Sequence, residues 1–293
     1  MVDNLEQAAL LLALRHSDRG WGPVTSAVED AGSALDILDV LLAPSTPTLD
    51  HVDRDVDTDL KLVAAEIDSW RAEGIRLVTV LDEEFPVQLL LVHQRPPFLT
   101  YRGVLDGEDV TAVSVVGSRQ ASAAGLRRAR AVASTLANNG FTVMSGLAAG
   151  IDTAAHRAAI DAGTRTVAVV GTGLRHCYPA ENRDLHGEIA RTGAVLSQFW
   201  PDAGPAKHQF PMRNAVMSGC SIATVVVEAG EHSGARIQAR IAVEHGRHVF
   251  LLPEVLANQW AVDLARRPNT TVLDGPEHLL RVLGELTAEL VQL

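Results

Sequence analysis

Past residue 110, short runs rich in Val, Ile and Ala alternate with segments long enough to form helices. The runs predict strands at 112–116, 142–144, 166–170, 194–197, 222–227 and 248–252. The segments between them predict helices at 123–138, 151–161, 181–191, 213–218 and 234–244. Strands that are apolar throughout are buried on both faces, and right-handed crossovers place helices on both sides of a parallel sheet. The pattern predicts an α/β fold, an extended Rossmann-like, doubly wound and mostly parallel sheet.

The N-terminal part has a different pattern, in which predicted helices dominate and extended segments come only after residue 74. Helices are predicted at 4–14, 31–42 and 60–73, a loop at 44–47, and extended segments at 75–81 and 96–101. These signals predict two domains, a small helical domain at 1–60 and the extended Rossmann-like domain at 61–293.

Charge is divided unevenly between the two parts of the chain. Residues 1–110 carry 21 Asp and Glu against 8 Lys and Arg, whereas residues 111–293 carry 15 against 17. An acidic protein is a poor candidate for non-specific nucleic-acid binding, but the second part leaves room for a local basic face. Lys61 and Lys207 are the only lysines, and arginine suits bidentate phosphate contacts better than lysine does.

Targeting and cysteine signals are weak. The apolar run at 8–14 is too short to cross a bilayer, and no basic segment with a cleavage site accompanies it. We therefore expect a cytoplasmic protein that does not bind membranes. Cys177 and Cys220 belong to no CxxC pattern and have no paired histidines nearby, so we interpret them as free thiols and expect no metal site.

Five loops that directly follow predicted strands carry the candidate chemistry, because ligands of such sheets bind beyond the carboxyl ends of the strands. The residues that we expect to bind DNA or phosphate are Gly117, Ser118, Arg119, Ser145, Gly146, Gly150, Gly171, Thr172, Gly173, Lys207, Phe210, Arg213, Asn214, Ser233 and Gly234. Glycines allow sharp turns and close approach of an anion, and the helices that follow are expected to offer free N–H groups. The loop at 117–122 alone is equally compatible with a structural turn, but five such loops at one edge of the sheet predict a phosphate-binding rim.

The basic members of this rim are Arg119, Lys207 and Arg213. Lys207 and Arg213 flank Phe210 in the sequence, a combination typical of sites that hold a nucleic-acid backbone and a stacked base. Tyr178 either stacks on a base as well or packs its own loop.

Asp152 and His156 are four residues apart, so they share one face of the predicted helix. They form either a helix cap and an ion pair or an acid/base couple. We favour the structural interpretation, because no nucleophile and no metal-ligand set accompany them.

The runs VGSR (116–119), SGLAAGIDTAAH (145–156), VGTG (170–173), YPAEN (178–182), FPMRN (210–214), VEA (227–229) and SG (233–234) occur in an order and spacing that resemble the DNA-processing protein A (DprA/Smf) family. Residues 74–103 look like the segment that leads into the extended Rossmann domain of that family. The helical N-terminus resembles its small sterile-alpha-like domain more loosely.

The resemblance implies a protein that is not an enzyme and uses no cofactor. Members of the family bind single-stranded DNA, protect it and load the RecA recombinase onto it in recombination or natural transformation, and they act as homodimers. By the same likeness, Arg119 and Lys207 match the phosphate and base contacts of the family.

Three departures accompany the resemblance. Ala215 stands where the family usually has a further arginine, Glu254 follows Pro253 in place of glycine, and the usual Asn-x-Leu-Ile segment is not recognisable at 259–273. Because the chain ends at Leu293, we also expect no C-terminal winged-helix domain.

Two alternatives to DNA binding remain open. One is a small-nucleotide sensor or a phosphoribohydrolase-like enzyme of the same superfamily, although Glu228-Ala-Gly-Glu-His-Ser-Gly234 replaces the Pro-Gly-Gly-x-Gly-Thr motif of those hydrolases. The other is a scaffold whose pocket has degenerated.

Overall fold

The computed structural model describes residues 4–44 and 55–290. Contacts divide it into two compact units: Met1–Phe85 with Pro96–Tyr101, and Pro86–Arg95 with Arg102–Leu293. The domain boundary near residue 60 stays a prediction. The loop predicted at 44–47 lies outside the described residues, apart from Pro44.

The first unit is mainly helical. Its elements are α1 (Asn4–His16), α2 (Trp21–Ala31), α3 (Leu38–Leu42), α4 (Val56–Ala72) and an antiparallel pair of β1 (Arg76–Thr79) with the start of β2 (Phe98–Gly103). Residues 8–14 of α1 are buried, and α1 packs against α4, where Trp70 is also buried. The apolar run of α1 is therefore the core of this unit. No helix in residues 4–44 and 55–290 has the length and apolar content to cross a membrane.

The helix predicted at 31–42 is wrong over its first half. α2 ends before Gly32, which adopts a left-handed conformation with a φ of 71°. The Glu6 carboxylate then accepts a hydrogen bond of 2.8 Å from the Ala34 N–H. Because a side chain satisfies this backbone donor, the turn is stable and the helix resumes only as α3.

The second unit is built around a parallel sheet. Its strands are β3 (Val113–Gly117), β4 (Val143–Ser145), β5 (Thr166–Val169), β6 (Ala194–Ser197), β7 (Ala223–Glu228), β8 (His248–Leu251) and β9 (Thr270–Val272), in the order β6-β5-β4-β3-β7-β8-β9. All neighbours in this series pair parallel. The predicted α/β fold with a Rossmann-like, mostly parallel sheet is confirmed.

Helices connect and flank these strands. They are α5 (Val87–Leu90), α6 (Ala123–Asn138), α7 (Ile151–Asp161), α8 (Arg183–Thr192), α9 (Gln209–Gly219), α10 (Gly234–Glu244), α11 (Gln259–Leu264) and α12 (Pro276–Leu290). The six predicted strands agree with the structure to within one residue at each end, and the predictions for α6, α7 and α10 coincide with it. The sequence patterns did not predict α2, α5, α11, α12 or β9.

The strand order reverses between β3 and β7. From β3 the chain moves outwards through β4, β5 and β6, then returns to place β7 on the other side of β3. The loops that leave β3 and β7 therefore diverge to opposite sides. Such a switch point is where open α/β sheets form their ligand crevice.

Candidate nucleic-acid interface

A cleft of about 650 Å³ lies at this switch point. Its walls come from the loops after β3, β4 and β7 and from α9 and α10. Eight of the predicted site residues line it: Gly117, Ser118, Arg119, Phe210, Arg213, Asn214, Ser233 and Gly234. A smaller cavity of about 150 Å³ shares some of these residues and adds Gly146, Gly171 and Tyr178.

Close backbone packing holds the first loop in place. The Ser118 N–H donates to the Glu228 carbonyl at 2.7 Å, and the Ile151 N–H donates to the Ser118 carbonyl at 3.2 Å. Gly150 has a φ of 81°, and a β-carbon there would lie 2.3 Å from the Ser118 carbonyl oxygen. Gly150 thus allows two loops to touch, and Arg119 is left exposed at the tip.

The start of α6 is not open to a ligand, contrary to the sequence-based expectation. The Glu228 carboxylate accepts hydrogen bonds from the N–H and the hydroxyl of Ser122. The Ser122 hydroxyl also accepts from the Gly125 N–H at 2.9 Å, and a β-carbon at Gly125 would lie 2.3 Å from Glu228 Oε2. A carboxylate of the chain itself therefore occupies the anion position at this helix terminus.

Exposed aromatic surface adjoins Arg119. The guanidinium carbon of Arg119 lies 5.1 Å from the centre of the half-buried Phe210 ring. The Tyr178 ring is 45% exposed and lies 5.8 Å from Phe210, tilted by 52°. A β-carbon at Gly171 would come within 2.9 Å of the Phe210 ring, so this glycine leaves room for it. A cation and two aromatic rings thus form one surface.

Arg213 does not add an exposed cation to this surface, which corrects the prediction. Only 6% of the residue is accessible, and its Nη1 donates to the carbonyls of Gly146 at 2.6 Å and Val169 at 2.7 Å. A β-carbon at Gly146 would lie 2.1 Å from that same nitrogen. The absent side chain of Gly146 therefore makes room for Arg213, which fastens the loops after β4 and β5 from within.

Asp152 lies beside Arg213 as its buried counter-charge. Its Oδ2 accepts hydrogen bonds from the N–H groups of Gly146 at 3.1 Å and Ala148 at 3.3 Å. Burial raises the pKa of Asp152, and the nearby Arg213 opposes this rise. The carboxylate thus caps the loop after β4 and compensates a buried arginine.

His156 is buried apart from this pair. Its Nδ1 lies 2.7 Å from the Thr166 hydroxyl, and burial lowers the pKa of His156 to about 3. Within the described residues no hydrogen bond joins it to Asp152. The structure therefore shows neither half of the favoured interpretation: no side chain caps the start of α7, and no His156–Asp152 ion pair forms among the described residues.

Other predicted residues have structural contacts or lie outside the two cavities. The Ser145 hydroxyl is buried and donates to the Val115 carbonyl at 2.7 Å. Thr172 is buried, and a β-carbon at Gly173 would lie 2.1 Å from the Trp200 carbonyl oxygen. These side-chain positions are therefore unavailable to a ligand. Lys207 is exposed just before α9 but lines neither cavity.

Sequence reasoning missed Gln238 as a residue of the cleft. It lies one helical turn beyond Gly234 on α10 and is 1% exposed. The spacing of four residues from a predicted loop glycine is the signal that could have identified it, since residues four apart share a helix face.

Comparisons with known proteins identify relatives of this chain. The sequence profile of the family described as DNA recombination-mediator protein A matches residues 76–267. Protein Smf of Synechocystis is 40% identical over 191 residues, covering 64% of this chain and 48% of that protein. The chain spans 48% to 66% of the length of the curated relatives it matches.

Solved structures share the fold. DNA processing protein A from Streptococcus pneumoniae has a TM-score of 0.75 and 28% identity, covering 96% of this chain and 98% of that one. DNA processing protein A from Helicobacter pylori, whose structure was reported for its single-stranded DNA binding mode, has a TM-score of 0.63 and 24% identity. The match covers 71% of this chain and 96% of that one. Because the profile matches more than half of the chain, this protein belongs to the DNA recombination-mediator protein A family.

Proposed function

We propose that this protein binds single-stranded DNA across the surface formed by Arg119, Phe210 and Tyr178, and that it acts in DNA recombination or natural transformation. The observation that carries the proposal is the exposed Arg119 guanidinium over the half-buried Phe210 ring, at the mouth of the switch-point cleft. A backbone-binding cation next to a stacking platform suits a strand whose bases are unpaired. The relative from Helicobacter pylori is described as binding single-stranded DNA.

The role that we propose is non-enzymatic and needs no cofactor. The carboxylates of Asp152 and Glu228 already accept hydrogen bonds from the backbone. In the part of the chain that the structure describes, no group of three His, Cys, Asp or Glu residues could hold a metal ion. We further propose that the protein protects the strand and loads RecA recombinase onto it as a homodimer in the cytoplasm.

Fluorescence anisotropy tests the binding step directly. We expect labelled oligo-dT to bind more tightly than blunt duplex of the same length. Arg119 and Lys207 are the two exposed cations of the predicted site. If each neutralises one phosphate, the slope of log affinity against log salt concentration should be roughly −1.4, since each phosphate on a single strand contributes about −0.7. Equal or tighter binding of the duplex would contradict the proposal.

RecA loading and dimerisation need their own measurements. We expect the protein to speed RecA filament formation on DNA coated with a single-strand binding protein, and light scattering to report the mass of a dimer. Loss of the RecA effect in an Arg119→Ala variant would connect it to the proposed surface. An unchanged rate with wild-type protein would remove RecA loading from the function while leaving DNA binding intact.

A small-nucleotide sensor or a phosphoribohydrolase-like enzyme remains the second candidate. The cleft volume of about 650 Å³ favours it, because small-molecule sites are usually about 300–1,000 Å³. Binding of mononucleotides that oligo-dT does not displace would favour this candidate.

A further inference from the structure

Gln238 is a buried amide whose hydrogen-bonding capacity is unused. It is 1% exposed, and neither its Oε1 nor its Nε2 has a hydrogen-bond partner among the described residues. Buried polar groups in native proteins are nearly always paired, because an unpaired one loses its water without compensation. Gln238 is also one of the residues that line the switch-point cleft. A ligand in the cleft would supply the hydrogen-bond partners that this amide lacks.

The start of α10 lies along the same wall. The helix begins at Gly234, which is exposed, and the Ser233 hydroxyl oxygen accepts a hydrogen bond from the Ala235 N–H at 3.2 Å. The positive end of the helix dipole favours an anion here. Gly234 and Gln238 are four residues apart, so they share one face with an axial separation of roughly 6 Å at ~1.5 Å per residue. A phosphate beside Gly234 and the polar edge of a base beside Gln238 could therefore belong to one nucleotide.

We propose that this wall is a nucleotide subsite, in which the Gln238 carboxamide pairs with the hydrogen-bonding edge of an unpaired base and the start of α10 faces the adjacent phosphate. The carboxamide presents a donor and an acceptor side by side. Each nucleobase presents donors and acceptors side by side on the edge that a duplex conceals, so the subsite accepts any base by rotation of the amide. The proposal rests on the proposed binding of single-stranded DNA and adds a contact that selects unpaired bases.

Gln238→Leu separates a ligand role from a structural one. Replacing an unpaired buried amide by an apolar side chain of similar size is expected to raise the melting temperature by roughly 2–4 °C. Affinity for oligo-dT should instead fall about tenfold, or ~1.4 kcal/mol. A purely structural glutamine would not produce this combination of a more stable protein and weaker binding.

Thr224→Val is the matched control. Thr224 lies in β7, is 0% exposed, and its hydroxyl has no hydrogen-bond partner in residues 4–44 and 55–290, but it does not line the cleft. This variant should raise the melting temperature and leave affinity unchanged.

A modified ligand tests the wild-type protein, so the proposal does not depend on how Gln238→Leu folds. An oligonucleotide of N3-methylthymidine keeps its phosphates and stacking surface but loses the N3–H donor of the base edge. We expect it to bind wild-type protein about tenfold more weakly than oligo-dT. Gln238→Leu should bind the two oligonucleotides equally.

These measurements show whether the subsite binds a free nucleotide or a DNA strand. They also separate failure of the subsite from failure of the proposed function. If Gln238→Leu weakens binding of dTMP but not of oligo-dT, the subsite is supported with a free nucleotide as its ligand. If binding of both is unchanged while Arg119→Ala weakens oligo-dT binding, the subsite is wrong and the proposed function stands. If neither variant weakens oligo-dT or dTMP binding, both fail.

Discussion

The Arg119 guanidinium lies over the Phe210 ring, with its central carbon 5.1 Å from the ring centre. This contact brings together residues 91 positions apart, and it leaves Arg119 with no carboxylate partner within the described residues. A guanidinium held by a ring face keeps all its N–H donors available for phosphate. In the proposed complex, a base would stack on Phe210 and Arg119 would contact the adjacent phosphate.

Removal of either exposed cation of the predicted site, Arg119 or Lys207, should weaken DNA binding without disturbing the fold. Arg119→Ala and Lys207→Ala each remove one predicted charge-assisted phosphate contact, and such a contact is worth about 1.5–3 kcal/mol. Affinity for oligo-dT, measured by anisotropy, should therefore fall roughly ten- to a hundred-fold in each variant. Arg281→Ala is the control, since Arg281 is exposed on α12 and pairs with Glu285 at 2.8 Å. An Arg119→Ala protein that folds and binds like the wild type would refute the proposed surface.

Phe210→Leu tests stacking while retaining an apolar side chain beside Gly171. Loss of the ring should cost about 1–3 kcal/mol of binding free energy, as for other base–aromatic contacts. Quenching of a 2-aminopurine base in the oligonucleotide reports the stack directly. Lower affinity with undiminished quenching would show that Phe210 supports the loop and does not stack on a base.

Arg213→Met should destabilise the fold in a pH-dependent way. Its loss leaves Asp152 as an uncompensated buried charge, which costs about 3–5 kcal/mol near neutral pH. Burial already raises the pKa of Asp152, and loss of Arg213 raises it further. A carboxyl whose folded pKa is raised stabilises the fold below its unfolded pKa, and that contribution is lost as pH rises through the folded pKa. Urea unfolding should thus show a smaller penalty at pH 5 than at pH 8; a penalty independent of pH would contradict this role for Asp152.

His156 should contribute to acid sensitivity. Burial lowers the folded pKa of His156 to about 3, well below the ordinary histidine pKa of about 6.5. Its stabilising contribution is therefore present above pH 6.5 and is lost as pH falls towards 3, at about 1.4 kcal/mol per pH unit. Burial also lowers the pKa of His245 to about 4 and lowers those of His186 and His248, so the wild-type slope contains contributions from four histidines. The free energy of unfolding, measured by urea titration between pH 6 and 4, should depend less steeply on pH in His156→Gln, by the contribution of one proton. An unchanged slope would disprove the role of His156.

The protein should release no free base from nucleoside monophosphates. The Glu228 carboxylate caps α6 through Ser122, so it is not available as an acid or base. Glu228→Gln should lower the melting temperature, because the uncharged amide caps a helix less well. Chromatography of long incubations with purified wild-type protein checks the expectation. Turnover that disappears in Glu228→Gln would favour the hydrolase alternative.

Much of the second unit could be predicted from local signals. Strands such as β3 and β7 are apolar on both faces, and the loops after them carry glycines, so their positions follow from residues close together in sequence. The start of α7 after Gly150 was predictable for the same reason. The helix predicted at 31–42 failed because the Glu6 carboxylate, distant in sequence, stabilises a turn at Ala34.

Whether each site residue is exposed to a ligand or buried could not be predicted from such local signals. Arg119 and Arg213 are both arginines in loop-flanking motifs, yet the first is exposed and the second is buried against the carbonyls of Gly146 and Val169. The difference depends on which backbone groups lie within hydrogen-bond distance after folding. Gln238 enters the cleft for a related reason: its helix packs where β7 returns beside β3, and that arrangement arises from contacts between distant segments. Local patterning thus predicted the strands and glycine loops, whereas long-range burial determined which charges and amides can meet a ligand.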